Sequence, residues 1–291
     1  MSDELYILLP VHNRREITRS FIQCLKAQSH TRYHLVLIDD GSADGTEKMV
    51  REYIPSLTVL HGNGHWWWAG CLQKGIDWLK ENGADDSAIV LLINDDVTFG
   101  PDYLALARSA MMDRPGLLLL SRHSCDGGNT VSESGVVADL KRLSFRVANA
   151  GEEVNCLPTR GLFVRFGDIR VIGDFHPRIL PHYLSDYEYT IRAARKSRHC
   201  ETSDRVLLCP NPATTGHHDF REPGFFRFLK KYFSVKSAAN PVYWSMFVIL
   251  AVPKPWILPN LARIWLRSIK VIFSQMIFSL QHLFSGHPPV R

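Results

Sequence analysis

The chain has 291 residues, 45% of them hydrophobic and 22% charged, with a formal net charge of +5. That composition excludes intrinsic disorder and is enough for one substantial core or a core plus an appendage. Six single cysteines at 24, 71, 125, 156, 200 and 209 exclude a close-spaced zinc site and a dense disulfide scaffold, and point to a reducing compartment. The start Met1-Ser2-Asp3-Glu4 lacks the basic region and long apolar run of a secretory signal, so a cytosolic protein is expected.

Residues 5–9 read as a buried strand. Residues 15–28 then read as a helix with Ile17, Phe21, Cys24 and Leu25 on one face. A strand is expected at 34–38, a helix at 46–53, a strand at 57–60, a helix at 69–82 and a strongly apolar strand at 88–93. Strands alternating with helical crossovers predict an α/β fold with a mostly parallel, Rossmann-like sheet flanked by helices. Residues 125–128 and 132–146 read as loops or a hairpin, order resumes near Gly161, and a helix over 186–195 precedes a strand at 205–208. No internal repeat or low-complexity segment is visible.

In such sheets, loops at the carboxyl ends of the strands form the ligand crevice. The candidate segments are therefore Pro10-Val11-His12-Asn13, Asp39-Asp40-Gly41-Ser42, Gly62-Asn63-Gly64 and Asn94-Asp95-Asp96. Asp95-Asp96, directly after an apolar strand, reads either as an oxygen-ligand clamp for a divalent cation on a diphosphate or as a capped turn. Asp39 and Asp40 read as a turn, or as acceptors for a nucleobase or ribose hydroxyl. Trp66-Trp67-Trp68 suits either a core or stacking on a sugar face. Asp186, at a helix start among Tyr183, Tyr187 and Tyr189, reads as a general base or as a helix cap.

These strings together resemble a known family. Leu9-Pro10-Val11-His12-Asn13-Arg14, Leu37-Ile38-Asp39-Asp40-Gly41-Ser42-Ala43-Asp44-Gly45-Thr46 and Leu92-Ile93-Asn94-Asp95-Asp96 are similar to the opening of family 2 glycosyltransferases of the GT-A fold. Gly62-Asn63-Gly64-His65-Trp66-Trp67-Trp68-Ala69-Gly70 resembles the aromatic segment of a rhamnosyltransferase-like bacterial subgroup. Gly161-Leu162-Phe163-Val164-Arg165 and Ile172-Gly173-Asp174-Phe175 resemble the strand and turn that precede the family's acidic motif. The resemblance covers residues 5–220.

It implies an inverting enzyme that moves a hexose-type sugar from a nucleoside diphosphate, UDP or dTDP, to a lipid-linked or polysaccharide acceptor in bacterial cell-surface glycan synthesis. Pro10, His12, Asn13, Asp39, Asp40, Asn63, Trp68 and Asp95 would line the donor site. Asp96 would hold Mg2+ or Mn2+, with His217 or His218 completing the metal site. Asp186 would be the base, with Glu188 in reserve. Two departures stand out: Asn94 where the metal motif commonly has an acid, and Ser185-Asp186 where the catalytic motif commonly reads Glu-Asp. A sugar nucleotidyltransferase is the competing enzyme class, but it would ordinarily show a Gly-rich basic loop after the first strand. A membrane-attached scaffold without turnover is the non-enzymatic alternative.

The tail differs from the body. From Arg221 onward ten Lys or Arg face one acid, whereas the preceding residues hold 24 against 28, so residues 221–291 are expected to form a basic helical extension on a catalytic domain of residues 1–220. Its longest apolar run, residues 242–252, falls short of the ~20 residues a bilayer span needs. Residues 261–284 pattern as an amphipathic helix with Arg263, Arg267 and Lys270 on one stripe and Trp265 near headgroup level. An anionic membrane surface is expected as its partner along residues 225–284, with nucleic acid excluded by the aliphatic content. The other reading is packing on the catalytic domain or on a second subunit. The expected location is peripheral, on the cytoplasmic side of the inner membrane.

Overall fold

The computed structural model describes residues 4–124, 131–133, 135–149, 152–211 and 224–285. Its first half follows the alternation of the sequence: β1 (Leu5–Val11), α1 (Arg15–Lys26), β2 (Tyr33–Asp39), α2 (Thr46–Tyr53), β3 (Leu57–His61), α3 (Trp67–Glu81) and β4 (Ile89–Leu92). These strands pair in parallel in the order β3-β2-β1-β4. β1 lies between two partners, yet holds Pro10. Its pairing with β4 ends at Leu8, and Pro10 faces only Ile38 of β2, so the missing N–H falls where the ladder is one-sided.

The sequence then adds β5 (Val97–Phe99), α4 (Tyr103–Met111), β6 (Leu117–Ser124), β7 (Val131–Glu133), the hairpin β8 (Val136–Asp139) with β9 (Ser144–Val147), β10 (Leu162–Arg165), α5 (Phe166–Ile172), α6 (Ser185–Arg195) and β11 (His199–Pro210). Among the described residues the main sheet has nine strands in the order β3-β2-β1-β4-β10-β6-β11-β5, with β7 added on β6. The expected mostly parallel sheet is thus corrected to a mixed one. β10 runs antiparallel to both β4 and β6, and β5 antiparallel to β11. Antiparallel β10 brings its first residues to the edge where β1, β2 and β4 end, which adds a wall to the crevice.

One core, under α1 and α4, is built on Ile7, Leu9, Leu35, Leu37 and Phe163. The opposite face packs Leu8, Val36, Val90 and Leu162 against α3, α5 and α6. Residues of β1 and β2 alternate between the two, as a strand buried on both faces requires. Cys24, Cys71, Cys156 and Cys200 are free, whereas Cys209 is disulfide-bonded.

The tail forms α7 (Phe225–Tyr232), α8 (Pro241–Ala251) and α9 (Lys254–Ser285). Phe247 and Ala251 of α8 share a core with Val136, Ala138, Leu180, Leu184 and Ile191, so α8 closes the body rather than hanging from it. Among the described residues no helix is long and apolar enough to cross a membrane.

Candidate active site

Three loops at the carboxyl ends of β1, β2 and β3 are tied together by short polar side chains. Val11 and Asp39 are register partners. Beyond them the Asn13 amide donates to Ser42 Oγ at 2.9 Å, the Asn13 side-chain oxygen accepts from Ala43 N at 2.8 Å, and Arg15 N donates to Asp44 Oδ2 at 2.8 Å. Asn13 adopts φ +50, a left-handed conformation that Asn tolerates better than most residues. His12 Nδ1 lies 2.6 Å from the Asp40 carbonyl oxygen, which requires the proton on Nδ1. Asp39 is buried and its Oδ1 accepts from Ser42 N at 2.7 Å. A groove lined by Asp39, Ser42, Thr46, Lys48 and Arg51 opens beside it.

Asp40 holds the aromatic segment. Its Oδ1 accepts from Gly64 N at 2.8 Å, and its Oδ2 accepts from Trp66 N at 2.9 Å and Trp67 N at 3.2 Å. One carboxylate thus satisfies backbone donors at the start of α3, where helix amides lack internal partners and favour negative charge. Trp67 is bent to φ +56. The three tryptophans have separate surroundings. Trp66 packs on the core under the Lys74 ammonium, 5.7 Å away, and the Trp68 indole N–H donates to Thr159 Oγ1 at 2.9 Å. Trp67 meets the His182 ring at 5.9 Å and the Lys236 ammonium at 5.7 Å. Asn63 is exposed and accepts from His65 N at 3.2 Å.

Asp95 and Asp96 are 2% and 5% exposed. Asp95 Oδ2 accepts from Thr18 Oγ1 at 2.8 Å, and its Oδ1 lies 3.1 Å from Arg14 Nη1. Burial pushes the Asp95 carboxyl up to about 6, against the pull of Arg14 and Thr18. Asp96 Oδ2 lies 3.3 Å from Arg14 Nη2, and its Oδ1 lies 3.9 Å from Arg160 Nε. The donors are carboxylate oxygens, which suit a hard divalent cation. Among the described residues no group of three or more His, Cys, Asp or Glu surrounds such an ion. The fit is therefore right in kind and short in number among the described residues. The chain reaches Asp96 at the end of β11, where Asn211 N donates to the Asp96 carbonyl at 2.8 Å. His217 and His218 lie outside the described residues.

The last acids sit on the first turn of α6. Leu184 takes φ +68 just before it, a strained backbone state that concentrates at functional sites, and Ser185 Oγ donates to the His182 carbonyl at 2.7 Å. Asp186 is half-buried, and its Oδ1 accepts from Tyr187 N at 2.9 Å. Its charge helps to raise the neighbouring Cys156 thiol, whose main perturbation is burial. Glu188 is buried, closed onto Arg192 at 2.8 and 2.9 Å. Of the three tyrosines expected to surround Asp186, Tyr189 is stacked on Phe175 at 4.2 Å in the core, leaving Tyr183 and Tyr187 half-buried.

Residues 157–160 join these parts. Leu157 N donates to Thr190 Oγ1 at 2.9 Å, one helical turn beyond Asp186. Thr159 accepts the Trp68 indole, and Arg160 reaches Asp96. The Asp95-Asp96 pair, the aromatic segment and the second turn of α6 are thus linked along one short stretch of chain, with Asp39 at the end of β2, on the far side of β1 from β4. Arg14, Thr18, Thr159, Arg160, His182 and Lys236 are the site residues that sequence reasoning gave no role. Arg14, inside the first motif, carried the only local signal.

The sequence matches the family described as Glycosyl transferase family 2 over residues 6–165. No curated protein matches it significantly. Among solved structures, S. aureus TarS superposes with a TM-score of 0.58 at 14% identity, covering 96% of this chain and 54% of TarS. The chain thus spans about half the length of that protein. The mannosyltransferase PcManGT from Pyrobaculum calidifontis, in complex with GDP-Man and Mn2+, superposes at 0.55 with 14% identity over 97% of this chain and 88% of its own. GalNAc-T7 with UDP, GalNAc and Mn2+ superposes at 0.56 with 10% identity over 83% and 50%. At these identities the likeness concerns the GT-A fold.

Proposed function

Because this chain belongs to glycosyl transferase family 2, we propose that it moves one sugar, a hexose or deoxyhexose such as rhamnose, from a nucleoside diphosphate to a lipid-linked or polysaccharide hydroxyl in bacterial cell-surface glycan synthesis. The observation that carries this reading is the stretch 157–160, whose bonds reach Asp96, Trp68 and Thr190, the last bonded in turn to the Asp186 carbonyl. Asp39 and its groove take the nucleoside, and Trp68 with the loops of Asn13 and Asn63 frames the donor. Asp96 holds the divalent cation, which when bound offsets charge on the departing diphosphate. Asp186 takes the proton of the acceptor hydroxyl as its oxygen bonds to the anomeric carbon and the sugar–phosphate bond breaks, so one displacement inverts that centre. Glu188, closed onto Arg192, supports α6 rather than the chemistry.

We place the chain peripherally on the cytoplasmic side of the inner membrane, and the surface of the tail is what supports the lipid contact. α9 exposes an apolar stripe: Leu258, Trp265, Leu266, Ile269, Phe273 and Ile277 are exposed, next to the exposed Arg263, Arg267 and Lys270, while Asn260, Ser268, Gln275 and Ser279 are buried. The exposed set follows the spacing of a single helical stripe. Residues 224–285 carry eight Lys or Arg and no acid. Such a surface is drawn to anionic lipid, whereas two copies of it would repel each other.

A thermal-shift screen of UDP, dTDP and GDP sugars, each with Mn2+ or Mg2+, tests the donor assignment, since a ligand that binds only the folded state raises its melting temperature. One nucleotide series should stabilise the protein in a cation-dependent way and then yield labelled product with an acceptor. Absence of any shift across the panel would overturn the reading.

A further inference from the structure

The Arg14 guanidinium stands where the cation chemistry has to happen. Its two terminal nitrogens reach one oxygen each of Asp95 and Asp96, at 3.1 and 3.3 Å. Arg160 adds a second positive group 3.9 Å from the other Asp96 oxygen. Arg14 is the residue just before α1, and Thr18, one turn into that helix, holds the remaining Asp95 oxygen at 2.8 Å. The start of α1 is thus built around the acid pair. The Arg14 side chain is 31% exposed whereas that of Asp96 is 5% exposed, so the arginine is the more solvent-accessible partner of the pair.

We infer that Arg14 gates the metal site, occupying Asp96 until a diphosphate arrives. A divalent cation approaching Asp96 in the free protein meets a fixed unit charge at contact distance, and that repulsion is substantial in a partly desolvated crevice. A diphosphate changes the balance. Its oxygens are strong partners for a guanidinium, so Arg14 can exchange a carboxylate for a phosphate, and Asp96 then becomes available. Cation and nucleotide therefore bind together, each weakly without the other, a coupling that is reciprocal by linkage. Arg14 acts on the cation as a positioning residue and on the diphosphate by contact. The inference rests on the donor reading above, and concerns this chain's own residues rather than any step of the reaction.

Mn2+ binding measured by electron paramagnetic resonance, without and with UDP, dTDP or GDP, tests it. For the free wild-type protein, Mn2+ should bind weakly and tighten when the matching nucleotide is present. Arg14→Gln should raise the Mn2+ affinity of the free protein roughly tenfold or more, weaken nucleotide binding, and flatten the coupling between the two. Arg14→Lys, which keeps the charge but not the two-point geometry, should fall between them, and it guards against a misfolded Gln variant. A purely structural Arg14 would lower Mn2+ affinity along with everything else. If free Arg14→Gln and Arg14→Lys bind Mn2+ no better than wild type, while wild type binds it with nucleotide, the gate is wrong and the donor site stands. If wild type binds no Mn2+ even with all three nucleotides, the metal-site reading itself fails, and the gate with it.

Discussion

Glu188 and Arg192 close a two-point ion pair within α6, with the carboxylate 2.8 and 2.9 Å from the guanidinium nitrogens. The same guanidinium donates to the carbonyls of Ile172 and Asp174, so the pair fastens α6 to the turn after α5. Two residues earlier Asp186 is half-buried beside residues 182–185 and keeps its carboxylate out of that pair. One helix turn therefore carries two acids with different work.

Replacing each in turn should separate chemistry from structure. Asp186→Asn should retain donor binding and lose turnover by about 10²–10⁴-fold, the range for removing a general base. Glu188→Gln removes the charge from a pair whose half-buried guanidinium keeps its bonds to two carbonyls, and should cost about 1–2 kcal/mol in stability, read as a lower melting temperature, with the turnover of the folded fraction kept. Wild-type turnover in Asp186→Asn would refute the base assignment.

Asp40 yields a prediction about the loop rather than the ligand. Its carboxylate accepts three backbone amides, so Asp40→Ala leaves donors at the start of α3 without a partner. A loss of about 3 kcal/mol is expected from hydrogen bonds to a charged acceptor. Gly62→Ala should do similar damage from the other side, because its Cβ would lie 2.5 Å from Asp40 Oδ1 and 2.9 Å from the Asp40 Cα. Both variants should show reduced melting temperature and faster amide exchange across residues 62–68. Unchanged exchange there would mean that the carboxylate is not the loop's anchor.

The parts of the site that were legible in the sequence are those written by local chemistry. The run before Asp95 reads as a buried strand, and the acids after it have no packing reason to be there, so position and role could be argued together. Residues 97–124 were not resolved into β5, α4 and β6, since a run such as Leu117-Leu118-Leu119-Leu120 does not tell strand from helix by periodicity. Arg14 and Arg160 meet Asp96 only after the sheet has formed, and nothing near either residue in the sequence announces that meeting. The amphipathic pattern of α9 is visible in the sequence, but not that its apolar stripe stays exposed beside the basic one while Asn260, Ser268, Gln275 and Ser279 turn inward. Tyr232 donating to Ser268, and Asn260 donating to the Leu140 carbonyl, supply the partners that allow it.

That exposed apolar stripe gives the last prediction. Truncation after Gly224 would remove Phe247 and Ala251 from a shared core and should unfold the body, so it cannot test lipid attachment. Substitution on the exposed stripe can. Leu266→Glu with Phe273→Glu places two acids at positions 61% and 57% exposed, where little packing is lost and surface changes usually stay within ~0.5 kcal/mol. The double variant should melt like wild type yet sediment far less with vesicles containing anionic lipid. Wild type should itself release from those vesicles at high salt, as screening removes the attraction of its basic residues. Equal sedimentation of the double variant and wild type would show that the apolar stripe of α9 faces something other than lipid.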